Sequence, residues 1–320
     1  MRSTNIRYLL LTFVSASMFG CTSSPSEPVD EASITPPAQI KLVGSVEEAI
    51  GMAETRWHAG DANKAIYFYV KALELDPENP AILTRIAEIH RELGNLDIAT
   101  KAYQDALLLK PDSIEITAAL GVLYAQKPNI NLAKEHLNKA IALDQARIKG
   151  YAQSRSNMLQ PLDAESPVAA YNAYAILKDS KGEHLVAREY FFASLQQQPD
   201  DPLLLTNLGY SFYLSGKLGP AERYFRQALR YDNHFARAWT NLGLIYARKG
   251  QYPRAIQALK QVVSEADAYN DLGYILMLDG KFEEAEEMLN MAIKLSPKYF
   301  AKAHANLEKL KLEQADLANR

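Results

Sequence analysis

Cysteine is almost missing from this chain. A single Cys in 320 residues, Cys21, excludes an intramolecular disulfide framework and any zinc site built on cysteine thiolates. The six histidines, at 58, 90, 136, 184, 234 and 304, form no His-Glu-x-x-His pair or other metal-ligand spacing. Neither a glycine-rich phosphate loop nor a Gly-x-Ser-x-Gly elbow occurs. The densest carboxylates, Glu283-Glu284 and Glu286-Glu287, fall in a helical pattern where a solvated face is the ordinary use of such residues. The expectation is a protein that is not an enzyme and has no cofactor, no metal and no small-molecule substrate.

Long apolar runs are also scarce. Residues 1–20 carry Arg2 and Arg7, no acid, and the run Tyr8-Leu9-Leu10-Leu11-Thr12-Phe13-Val14, too short to span about 30 Å of hydrocarbon. This reads as a secretory signal rather than a transmembrane helix. It ends Met18-Phe19-Gly20-Cys21, which resembles a bacterial lipobox, where a small residue precedes the Cys that is lipidated and becomes the mature N-terminus. The other reading is an ordinary cleavage site beside a free Cys. Each buried CH₂ of an acyl chain contributes about 0.8 kcal/mol, so several chains on Cys21 would anchor the protein stably. Thr22 follows, not Asp, and the resemblance to lipoprotein sorting rules implies the periplasmic face of a Gram-negative outer membrane. Removal of Arg2 and Arg7 takes the formal net charge from -3 to -5, a sign that disfavours non-specific nucleic-acid binding. Residues 21–45, with prolines at 25, 28, 36 and 37, cannot bury enough apolar surface to offset their ordering entropy and are expected to be a disordered tether.

What the chain has in abundance is repetition. Between Pro202 and Asp267 one unit of 34 residues occurs twice: Leu205, Leu208, Gly209, Phe212, Gly216, Ala221, Phe225 and Ala228 are matched by Trp239, Leu242, Gly243, Tyr246, Gly250, Ala255, Leu259 and Val262. The large apolar positions recur at helical spacing, Gly216 and Gly250 fall where a left-handed turn is wanted, and small Gly209 and Gly243 mark a close helix crossing faced by Ala221 and Ala255. Earlier copies place Ala53, Ala87 and Gly121 at that crossing, then Ala175, then Gly273 in the last copy. Three repeats thus occupy 46–147, an insert occupies 148–167, four repeats occupy 168–298, and 299–320 forms a capping helix. The second helix of repeat three is expected to run past Leu143 to about Gly150. The insert is either a linker or a partner-binding loop. The second helix of repeat six is expected about one turn short, ending near Ser264-Glu265.

Trp239, Leu242-Gly243, Tyr246 and Ala255 carry a resemblance to the tetratricopeptide repeat. It implies an all-α superhelical solenoid of about seven helix-turn-helix repeats plus the C-terminal capping helix. In such arrays the first helices line a concave groove that binds protein partners, and the carry-over assigns Tyr210, Tyr213, Arg237, Arg248, Asn270 and Tyr274 to it. Packing of the tyrosines between repeats is the competing use. The carboxylate clamp of chaperone-binding arrays is absent, because Thr206, Tyr210 and Asp271 stand in three of its places.

The segment Asp267-Ala268-Tyr269-Asn270-Asp271-Leu272-Gly273-Tyr274, with Ser296-Pro297-Lys298-Tyr299-Phe300 and His304-Ala305-Asn306-Leu307, is similar to the repeat lipoproteins of the tight-adherence (Tad/Flp) pilus system. That resemblance implies a non-catalytic outer-membrane scaffold for pilus biogenesis, held to the membrane through Cys21, with a secretin or another pilus-assembly component as partner. An adaptor for peptidoglycan-processing enzymes is the alternative.

Overall fold

The computed structural model describes residues 44–127, 129–152, 159–296 and 298–318. The expected signal, Cys21 and nearly all of the tether lie outside these residues. Among the described residues the chain forms fifteen α-helices and no strand. They divide between a unit ending at Leu177 and a unit starting at Lys178.

In the first unit, α1 (Val46–His58) packs on α2 (Ala62–Leu75), α3 (Pro80–Glu92) on α4 (Leu96–Leu109) and α5 (Ile114–Gln126) on α6 (Ile130–Ala152). The division falls inside α7 (Val168–Ser180). The second unit continues with α8 (His184–Gln197) and the pairs α9 (Pro202–Leu214) and α10 (Leu218–Tyr231), α11 (Ala236–Arg248) and α12 (Tyr252–Leu259), and α13 (Glu265–Leu278) and α14 (Phe282–Leu295), closed by α15 (Ala301–Ala318). First helices of successive repeats touch, α9 on α11 and α11 on α13, while α10 and α12 bridge to the first helix that follows them.

The boundaries follow from local chemistry. Ser45, Asp61, Asn79, Ser113, Asp201 and Ser264 each accept a bond from a backbone N–H two or three residues on, satisfying donors that the first turn of a helix leaves orphaned. Pro80 and Pro202 sit where the missing N–H costs nothing. Apart from the turn between α5 and α6, the turns between paired helices close on glycines with φ between 70° and 78°, among them Gly216 and Gly250.

The helix crossings explain the second set of glycines. A Cβ placed on Gly209 or Gly243 would come within 2.7 Å of Phe225 or Leu259, and one on Gly273 within 2.7 Å of Leu289. The closest atoms at these crossings belong to Phe225, Leu259 and Leu289, one turn past the alanines the repeat pattern places there, while Ala285 O also lies 3.1 Å from a Cβ on Gly273. Helical side chains lean back towards the N-terminus, so the residue one turn later covers the crossing point. Ala221 and Ala255 are themselves fully buried in the same interface.

The second unit's core runs continuously through Leu205, Phe225, Leu242, Tyr246, Leu259, Leu272 and Leu289 to Leu310 of the closing helix. Its second helices have 14 residues except α12, which has 8. α12 stops at Leu259, earlier than the spacing suggested, and the chain turns through Val262 N–H to Leu259 O at 3.0 Å before Ser264 caps α13. In the first unit α6 runs past Leu143 to Ala152, and the described end of the insert is tied back to it. Arg147 reaches Asp163 at 2.7 Å and Asp144 at 2.6 Å, and Gln145 accepts from Gln160 N–H at 2.7 Å.

Candidate protein-binding face

The first helices of the second unit carry all six groove residues expected from the sequence. Tyr210 and Tyr213 are one turn apart on α9 and stack with ring centroids 5.6 Å apart. The Arg248 guanidinium, from α11, lies 5.0 Å over the Tyr213 ring and bonds Asp279 at 3.0 Å. Arg237, at the start of α11, donates to Asn207 Oδ1 at 3.3 Å. These four residues form one strip across two repeats. Burial lifts the Tyr210 hydroxyl above its ordinary range, with Arg248 pulling it back, Asp179 adding to the rise and Arg237 opposing it.

Burial is uneven along the strip. Tyr213 is 8% exposed, so its ring serves as packing; its hydroxyl, the Thr206 hydroxyl and Arg248 Nε are buried without a hydrogen-bond partner in the protein. Tyr210, Arg237 and Arg248 keep partly open faces. Desolvation holds the Arg237 guanidinium below its ordinary value, countered only by Tyr210. No carboxylate among the described residues pairs with it. The contrast with the first unit is direct: Arg85 of α3 is gripped by Glu54 through Nε at 2.9 Å and Nη2 at 3.1 Å, with Glu88 at 3.0 Å, while Tyr69 also donates to Glu54. Glu54 is held below the usual carboxylate range, Arg85 foremost, and the Tyr69 hydroxyl is pushed up to about 12 by burial. One inner arginine is saturated by its own chain, and the other is not.

Asn270 and Tyr274 have a different setting. Asn270 is fully buried, donates to Asp271 at 3.0 Å and accepts from Asn306 of α15 at 2.9 Å. Lys302 of α15 bonds Asp271 at 2.9 Å, and Lys309 lies 5.4 Å over the Tyr274 ring. The closing helix thus stands where a further first helix would, and it engages both residues. Cys21 lies outside the described residues.

Sequence reasoning missed a buried polar knot beside the strip. Asp179, 7% exposed, contacts His184 Nδ1 at 2.8 Å and accepts from Ser211 at 2.9 Å, while Arg188 bonds Ser215 at 3.1 Å and lies 4.8 Å over Phe212. Burial raises the Asp179 carboxyl, with His184 and Ser211 opposing. The serine bonds the carboxylate and not the imidazole, so the trio lacks the nucleophile-to-base contact of acyl transfer. It ties α8 to α9. Nothing in the spacing of 179, 184 and 211 signals it, because the contact crosses from one repeat to the next. No cluster of His, Cys, Asp or Glu able to hold a metal occurs among the described residues. No helix among them is long and apolar enough to cross a membrane.

Comparison with known proteins decides the family. Tetratricopeptide-repeat profiles match residues 56–103, 115–147, 206–266 and 266–299, more than half of the chain. This is a tetratricopeptide-repeat protein. Among curated relatives, the cell division cycle protein 16 homolog of Homo sapiens is 25% identical over 192 residues, 51% of this chain and 31% of that protein. A tetratricopeptide-repeat protein of Pseudomonas aeruginosa is 44% identical over 59 residues, 18% of this chain and 10% of its own. The chain therefore spans less than a third of the curated relatives it matches. Among solved structures, the Cut9 and Hcn1 hetero-tetramer of APC/C overlays with a TM-score of 0.57 at 18% identity, covering 83% of this chain and 49% of that one. A tetratricopeptide-repeat protein of Parabacteroides merdae overlays at 0.50 with 19% identity over 72% and 84%. At these identities the overlays bear on the fold alone. The repeat family mediates protein–protein interaction.

Proposed function

We propose that this tetratricopeptide-repeat protein is a non-catalytic scaffold that captures a protein partner on the inner face of its second unit. The observation that carries the reading is Arg237. A half-buried guanidinium beside a tyrosine pair, held by one side-chain amide and no carboxylate, costs stability unless a partner completes it. Partial openness of Tyr210 and Arg248 supplies rigid aromatic area and a second cation next to it. The finer reading joins this face to the lipobox-like Gly20-Cys21 and to the Asp267–Tyr274 segment. On it, the protein is a lipid-anchored outer-membrane component of a Tad/Flp-type pilus system and its partner is a secretin or another assembly subunit.

The test is crosslinked affinity purification of the full-length protein from detergent-solubilised outer membrane, with Cys21→Ser and the double change Tyr210→Ala with Arg237→Ala as parallel baits. Recovery of a secretin or pilus subunit, lost with Cys21→Ser and with the face variant, is the expected result. Recovery of peptidoglycan hydrolases in its place would retire the pilus reading and keep the face. Undiminished capture by the double variant would retire the face.

A further inference from the structure

Net charge averages over a sharp internal separation. The whole chain is at -3, yet from Lys217 to Lys260 it holds nine lysines and arginines against two acids, Glu222 and Asp232. Glu222 is shared by Arg226 at 3.0 Å, Lys249 at 2.5 Å and Arg254 at 3.7 Å. It has no capacity left for Arg223 and Arg230, which are exposed on the outer side of α10 and make no ion pair among the described residues. Arg223, Arg226 and Arg230 border an open recess of about 270 Å³ along that helix, with Gly219 and Glu222 completing its lining.

Two repeats along, α14 is the reverse. Its first half carries Glu283, Glu284, Glu286 and Glu287, and none of the four has a cationic partner among the described residues. Arg223 and Glu287 are both exposed and hold the same place within their repeats, 14 residues past Gly209 and Gly273, so each lies on the same side of its own helix relative to that repeat's crossing. Between them lies α12, six residues and so about 9 Å of helix length shorter than either neighbour. Its own cations are already compensated: Arg254 by Glu222 and Tyr246, Lys260 by Glu265 at 2.8 Å.

An outer face that is basic at one end, acidic at the other and short and neutralised in the middle is complementary to itself under a two-fold rotation. We infer that the outer face of repeats five to seven is an isologous contact with a second copy of this chain, with α10 of one copy against α14 of the other and the two α12 helices at the axis. Such a contact satisfies both unpaired charge sets at once, because residue i meets j and j meets i. A membrane surface or a polyanion would satisfy only the arginines and would be repelled by the glutamates.

The test is sedimentation of the full chain carrying Cys21→Ser. The expected result is a dimer at roughly 30 mM salt whose dissociation constant rises at least tenfold by roughly 500 mM, where screening is nearly complete beyond contact distance. Arg223→Glu with Arg230→Glu makes the face acidic throughout, and Glu283→Lys with Glu286→Lys and Glu287→Lys makes it basic at both ends. Each variant alone is expected to be monomeric with unchanged helicity, and an equimolar mixture of the two to form a heterodimer. A wild-type chain that stays monomeric at about 100 μM in low salt overturns the inference. A dimer that survives both reversals does the same, and so does a monomer that binds acidic phospholipid vesicles through Arg223 and Arg230.

Discussion

Gly243→Ala is expected to destabilise the second unit even though alanine is the better helix former. In an exposed helix the exchange would gain about 1 kcal/mol. At this crossing the new Cβ would lie 2.7 Å from Leu259 Cγ and 2.8 Å from Cδ2. Leu259 is 1% exposed and has core neighbours on its other sides, so overpacking of about 1–3 kcal/mol opposes that gain. The expected net loss is about 1 kcal/mol, and Gly243→Leu should unfold the unit. Leu259→Ala alone should cost about 2–5 kcal/mol through the cavity it leaves. Combined with Gly243→Ala it should cost less than the sum, by a coupling of about 0.5–3 kcal/mol, since the methyl group fills part of that space. Gly250→Ala supplies the control. Its φ of 70° strains any side chain while nothing lies within 4 Å, so it should lose about 1–2 kcal/mol and add to Leu259→Ala without coupling. The assay is urea denaturation followed by helicity. A Gly243→Ala midpoint above wild type, together with strict additivity, would refute the crossing argument.

Arg237→Met should leave the melting temperature unchanged or raise it, because it removes a desolvated charge that no carboxylate balances, while capture of the partner is lost; calorimetry and pull-down read the two effects separately. Arg85→Met should do the opposite and lower the melting temperature by several degrees, since it strands Glu54 and Glu88. Asp163 is held at about 2 by Arg147, below its unfolded value, so its contribution is present above that unfolded value and is lost as pH falls from near 4 towards 2. Hydrogen exchange at 159–167 should accelerate over that window, and Asp163→Asn should flatten the dependence.

The fold was legible because a repeat states each rule several times. Glycines with positive φ, caps such as Asn79 and Asp201, and the tight crossings at Gly209, Gly243 and Gly273 recur at a 34-residue period interrupted by the insert and by the short α12, so each copy corroborates the others. The candidate face was only partly legible. Spacing placed Tyr210, Tyr213, Arg237 and Arg248 on first helices, but burial depends on what the next repeat contributes. Tyr213 is sunk beneath Arg248, and Asn270 is taken up by Asn306, 36 residues away. The Asp179, His184 and Ser211 knot and the crossing partner one turn beyond Ala221 were invisible for the same reason: both depend on inter-helix geometry that no intra-helix period records.

The closing helix bears on how such a gene can change length. α15 is joined to the last repeat by residue-specific bonds, Asn306 to Asn270 and Lys302 to Asp271. A unit duplicated upstream of repeat seven leaves that joint intact, whereas one added after it must bring its own copies of Asn270 and Asp271 or leave α15 without its seat. A tandem copy of repeat seven carries Asn270 and Asp271 with it and keeps the seat, so what the joint excludes is a different repeat placed between repeat seven and α15.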